Sequence, residues 1–107
     1  MALPVTGKLV RDLIPNIISD SGKNPVTCEV SGDDLLSALK LKVLEEAQEL
    51  ASASEHNALE EIADVLEVLL AITHQMDTSW NTIEKRAAKK RSERGGFNAG
   101  IWLLDTQ

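Results

Sequence analysis

The chain has 107 residues, is 43 % hydrophobic and carries a formal charge of −6. This bounds it to one small domain over residues 1–107 and argues against a nucleic-acid duplex or an anionic membrane as partner, since both require a net basic footprint. No signal-type segment or membrane-length apolar run is present, so the cytoplasm is the expected location. The single Cys28 allows no intrachain disulfide and no thiolate cluster, and it reads as a small, partly buried apolar residue. The charges are segregated. Residues 33 to 67 hold ten acids against Lys40 and Lys42, net −8, and residues 85 to 94 hold six bases against Glu93, net +5.

Residues 1 to 10 contain Pro4 and Gly7 and read as an extended entry segment. Pro15 suits the first turn of a short helix over residues 13 to 20, where a missing N–H is no loss. The stretch SGKNPVTCEVSGDD is rich in turn formers, with a β-branched centre suited to extended backbone. Ser31 with Asp34 resembles a capping box and opens a long helix from about residue 33 to residue 53. Asn57 with Glu60 repeats the signal for a helix to about residue 76. Asp77, Thr78 or Ser79 caps a last helix that Gly95 and Gly96 stop after Arg94. The apolar tail FNAGIWLL is expected to pack back on the helices, with Phe97, Trp80 and Trp102 in core or interface. The class is all-α: a bundle of about four helices around an antiparallel hairpin, completed by oligomerisation.

Helical periodicity separates ordinary acids from misplaced ones. Each residue advances about 100°, so Leu36, Leu39, Val43, Ala47 and Leu50 form one stripe, with Glu46 only about 20° outside it. In the next helix, Leu59, Ile62, Leu66, Leu69 and Leu70 form one apolar face, and Val65, Val68 and Ile72 form a second. Glu61 projects between Val68 and Ile72, with Asp64 at its edge. A helix apolar on two sides belongs in a bundle or at a subunit interface. Glu60 and Glu67 fall on the polar stripe and read as solvated. A carboxylate on an apolar face is costly without a partner, and Lys40 and Lys42 both lie near one end of the pair. A cation is the economical partner. Glu46-x-x-Glu49 and Glu61-x-x-Asp64 each share one helix face, and an antiparallel pairing brings the four together beside Glu45. Oxygen-only ligands select hard cations, Mg²⁺ first and Mn²⁺ as a substitute. Zinc lacks its ligands here, and no Glu-x-x-His supports a di-iron site. His56 and His74 read as surface or helix-end residues.

The residues EEAQE followed by EIAD resemble the EExxE…ExxD signature of the MazG-like all-α nucleoside triphosphate pyrophosphohydrolases. GKLVRDLIPNII near the start and RSERGGFNAGIWL near the end resemble a small single-domain branch of that superfamily, and the three elements span residues 7 to 104 in order. One departure is the short spacing between Glu49 and Glu61, which demands a tight interhelical turn. The resemblance implies hydrolysis of a nucleoside or deoxynucleoside triphosphate to monophosphate and pyrophosphate, by metal-activated water at the α-phosphorus, in nucleotide-pool house-cleaning. It implies Glu46, Glu49, Glu61 and Asp64 as Mg²⁺ ligands and Glu45 or Glu46 as the group orienting water. Lys8, Arg11, Lys90, Arg91 and Arg94 would bind the substrate phosphates. Asp12 is expected to fix Arg11, and Lys85, Arg86 and Lys89 to be solvated. The resemblance also implies a homodimer or a dimer of dimers. The competing readings are the related phosphoribosyl-ATP pyrophosphohydrolase of histidine biosynthesis and a non-enzymatic helical adaptor with an acidic face. An adaptor's acids would be exposed, whereas Glu46 and Glu61 are expected on apolar faces.

Overall fold

The computed structural model describes residues 3 to 107; the first two residues of the expected entry segment lie outside this range. Among the described residues there are four helices and no strand: α1 (Ile14–Asp20), α2 (Gly32–Ser52), α3 (Glu55–Gln75) and α4 (Trp80–Arg94). Among the described residues, no helix is long and apolar enough to cross a membrane. The chain divides into two compact units, Met1–Asp77 and Thr78–Gln107.

In the first unit, α2 and α3 pack against each other as an antiparallel pair. The link is only Ala53 and Ser54, as tight as the short motif spacing demanded. At the far end, Gln75 Nε2 donates to the Gly32 carbonyl at 3.4 Å, joining the end of α3 to the start of α2. Pro15 sits in the first turn of α1 as expected. Ser31 occupies the N-cap of α2, but its side chain makes no capping bond. The start of α3 differs from expectation: the N-cap is Ser54, not Asn57, because the two-residue link already brings the backbone into helical register at Glu55. Residues 3 to 10 and 23 to 30 form no regular structure.

Packing selects between the two apolar faces of α3. Val68 and Thr73 are buried, with Val65 and Ile72 half-buried, opposite Ala38 and Leu39 of α2. Thr73 can be buried because its hydroxyl donates to the Leu69 carbonyl at 2.8 Å. On the other face Leu59 is 76 %, Ile62 50 % and Leu66 41 % exposed while Leu69 and Leu70 are half-buried, and Ala47 of the predicted α2 stripe is exposed too. Cys28 is exposed rather than partly buried, since the turn-rich segment carrying it forms no element that could cover it.

In the second unit, Ser79 caps α4, its Oγ accepting from the Thr82 N–H at 3.2 Å. Gly95 ends the helix with φ 83°, a left-handed conformation that glycine adopts without Cβ strain. Trp80 is half-buried. The tail does not pack as expected: Phe97, Ile101, Trp102, Leu103 and Leu104 are all exposed. The physical reason lies in α4, WNTIEKRAAKKRSER, which is polar almost all round, has no buried residue and offers no apolar stripe to receive them.

Candidate metal centre

The two-residue link fixes the register of the hairpin. Glu46 lies seven residues before Ala53 and Glu61 seven after Ser54, so an antiparallel pairing puts both at one level. Oxygens of Glu46, Glu61 and Asp64 all lie within 4.8 Å of one another. Glu46 is buried, only 8 % exposed, and Glu61 and Asp64 are half-buried. Glu46 Oε2 and Glu61 Oε2 are both buried without a hydrogen-bond partner. A buried carboxylate oxygen with no donor is destabilising by about 1–3 kcal/mol. Three acids at such separations require a compensating positive charge. An all-oxygen donor set with two unsatisfied atoms fits a hard divalent cation such as Mg²⁺ or Mn²⁺.

Glu49 is not in this trio. It is exposed and lines the same cleft. A three-residue step moves Glu49 toward the link and Asp64 away from it, each by about 4.5 Å along its helix, so the two diverge axially. The cleft, of about 970 Å³, lies between the hairpin and the segment running into α1, and Glu45, Glu46, Glu49, Asp64, Lys8 and Arg11 are among the residues lining it.

The N-terminal segment brings cations to the acids. Arg11 donates from its guanidinium to Asp64 Oδ1 at 2.7 Å, and Lys8 Nζ lies 3.6 Å from Glu45 Oε1. Lys42 Nζ is 3.2 Å from Glu45 Oε2 and 3.4 Å from Glu46 Oε1. Glu45 is thus held on both oxygens, while Glu46 keeps one free. Sequence reasoning assigned Lys8 and Arg11 to phosphate, and the structure pairs both with carboxylates. Position near one end of the helix pair also argues against Lys42 as a partner on sequence alone, yet it meets both acids. Its placement three and four residues before Glu45 and Glu46 was the signal that could have found it. Glu60 and Glu67 are exposed, as are His56 and His74, in agreement with expectation. Lys90, Arg91 and Arg94 are exposed residues of α4 in the second unit, as are Lys85, Arg86 and Lys89; Lys89 Nζ lies 3.9 Å from Glu93.

No family model matches the chain, and no solved structure matches it. A curated protein of Mycolicibacterium smegmatis, described as an uncharacterized protein, is 43 % identical over 51 residues, or 48 % of this chain and 52 % of that protein. The chain therefore matches about half the length of this curated relative.

Proposed function

We propose that the chain is a divalent-cation-dependent nucleoside triphosphate pyrophosphohydrolase of the MazG-like all-α type, converting (deoxy)nucleoside triphosphates to monophosphate and pyrophosphate. The observation carrying this reading is the Glu46, Glu61 and Asp64 trio, with its two buried oxygens lacking a donor. The same burial counts against an acidic adaptor surface, which would present its carboxylates to a partner. Glu46, Glu61 and Asp64 would hold Mg²⁺, and Glu49 lines the cleft outside this trio. Mg²⁺, when bound, supplies charge neutralisation to phosphate oxygens and acidifies water.

The chain's own residues divide the remaining work. Arg11 and Lys8 sit at the cleft on exposed pairs, and an exposed ion pair is worth only about 0–1 kcal/mol, so an incoming triphosphate can draw both away. Transfer of Lys8 to a phosphate frees Glu45 Oε1 to accept a proton from the attacking water. The exposed Leu59, Ile62 and Leu66 face of α3 supports a homodimer or a dimer of dimers, because a second copy would cover it.

Hydrolysis of a nucleotide panel with Mg²⁺ in ¹⁸O-labelled water tests the reading. Label in the nucleoside monophosphate alone is the expected result. Label in pyrophosphate or free phosphate, or no turnover of any triphosphate, would overturn it.

A further inference from the structure

The acids at and beside the trio are not bare. Glu45, Glu46, Glu61 and Asp64 carry four negative charges, and Lys8, Arg11 and Lys42 meet three of these groups. Among the described residues, Glu61 is the member that no cation meets, and its Oε2 has no hydrogen-bond partner. The pairs differ in burial. Lys42 and Glu46 keep only 15 % and 11 % of their side-chain surface, whereas Arg11 and Asp64 keep 57 % and 39 %. Lys42 is also anchored on α2 one turn from both of its acids, while Arg11 reaches across from the segment before α1.

We propose that Lys42 and Arg11 are resident counter-ions of the metal centre, and that a divalent cation binds in competition with them, Lys42 as a fixed competitor and Arg11 as a displaceable one. The competition is electrostatic and needs no steric clash, because a carboxylate has two oxygens and each pair uses one. A positive charge on Glu46 Oε1 lowers the attraction that the same carboxylate exerts on a dication at its other oxygen. The effect is larger for Lys42, whose side chain keeps only 15 % of its surface, than for Arg11, whose pair is more exposed and screened by salt. The two residues thus set the metal affinity and keep the metal-free hairpin from opening under its own repulsion. Neither touches the reacting atoms in this role; both are positioning residues. Arg11, once released from Asp64, is free to meet an anion, so metal and phosphate binding reinforce each other, and by linkage the reinforcement is reciprocal.

The inference rests on the metal reading above, and one set of measurements separates the two. Mn²⁺ affinity is measured on the full chain by electron paramagnetic resonance, with thermal melts in chelator alongside. If the native chain binds no Mn²⁺, the metal reading itself fails. If it binds, Lys42→Gln is expected to bind Mn²⁺ about tenfold more tightly while melting lower in chelator. Arg11→Gln is expected to tighten binding by roughly threefold at low salt and by nothing measurable at high salt. Lys42→Arg, which keeps the charge, is expected to stay within about twofold of the native chain. Glutamine variants with unchanged or weaker affinity, or an arginine variant that tightens as glutamine does, would overturn the inference. Should Lys42→Gln fold only when Mn²⁺ is supplied, that supports it; should it fold under neither condition, the Arg11→Gln and Lys42→Arg results decide.

Discussion

Replacing Glu61 with Gln isolates the one carboxylate of the trio that no cation among the described residues meets. In the native chain its oxygen lies within 4.8 Å of those of Glu46 and Asp64. Two unit charges at that separation repel by about 3 kcal/mol at an effective dielectric of 20. Lys42 and Arg11 offset much of this, and Glu61 is only half-buried, so a net relief of about 1–2 kcal/mol is the working figure. The amide adds a gain of its own, because its N–H group can donate to the unsatisfied Glu46 Oε2. For a unit of this size each kcal/mol moves the melting temperature by about 4–8 °C, so Glu61→Gln should melt roughly 5–15 °C higher than the native chain in chelator. Saturating Mg²⁺ should reverse the order: at a hundred times Kd the native chain gains about 2.7 kcal/mol, and the variant, missing a ligand, gains little. Paired calorimetric scans with chelator and with Mg²⁺ read both effects. A variant that melts at or below the native chain in chelator, or that gains as much from Mg²⁺, would refute the account of Glu61 as an uncompensated metal ligand.

Two further outcomes follow from exposure and capping. Light scattering at micromolar concentration should give at least a dimer mass. Leu59→Asp should weaken that association tenfold or more, since burying one leucine is worth about 1.5–3 kcal/mol; a monomeric native chain would refute this use of the face. Ser79→Ala should lower the stability of α4 by about 1 kcal/mol, seen as faster amide exchange in its first turn, because the Ser79 cap is the bond lost and α4 buries nothing that could compensate.

The helices were legible because apolar periodicity runs unbroken along α2 and α3. The buried Glu46 was legible for the same reason: its angular position beside Leu39 requires burial once that stripe packs. Which of the two α3 faces meets α2 was not, since period alone cannot rank two apolar faces, and the face with Val68 is the one that packs. The start of α3 was misplaced because Asn57 and Glu60 imitate a capping box that the short link pre-empts. The cations on the acids were missed for a different reason. Sequence reasoning assigned Lys8 and Arg11 to a substrate, but in the chain alone a carboxylate is the nearest anion they meet. The exposed tail escaped prediction because apolar composition says that a segment seeks cover and does not say where the cover is.

The level of Glu46 and Glu61 also marks where full burial stops. The buried residues of the hairpin, Ala38, Leu39, Val68 and Thr73, all lie farther from the link than the acids do. Between the acids and the link no residue is buried, and Leu59 stands open there. The hairpin is therefore a packed end and an open end, divided by carboxylates that repel one another and are held by Lys42 and Arg11. Local opening has a free energy set by the contacts it breaks, so the open end should separate more readily than the packed end. In chelator, amides of residues 50 to 53 and 58 to 60 should exchange faster than those of residues 38 to 43 and 68 to 73. A dication bound at the dividing level joins the two helices there, so Mg²⁺ should slow exchange at the open end far more than at the packed end, where opening already requires breaking the core. Equal protection at both ends in chelator, or a Mg²⁺ effect confined to the packed end, would show that the acids are not the boundary between the two.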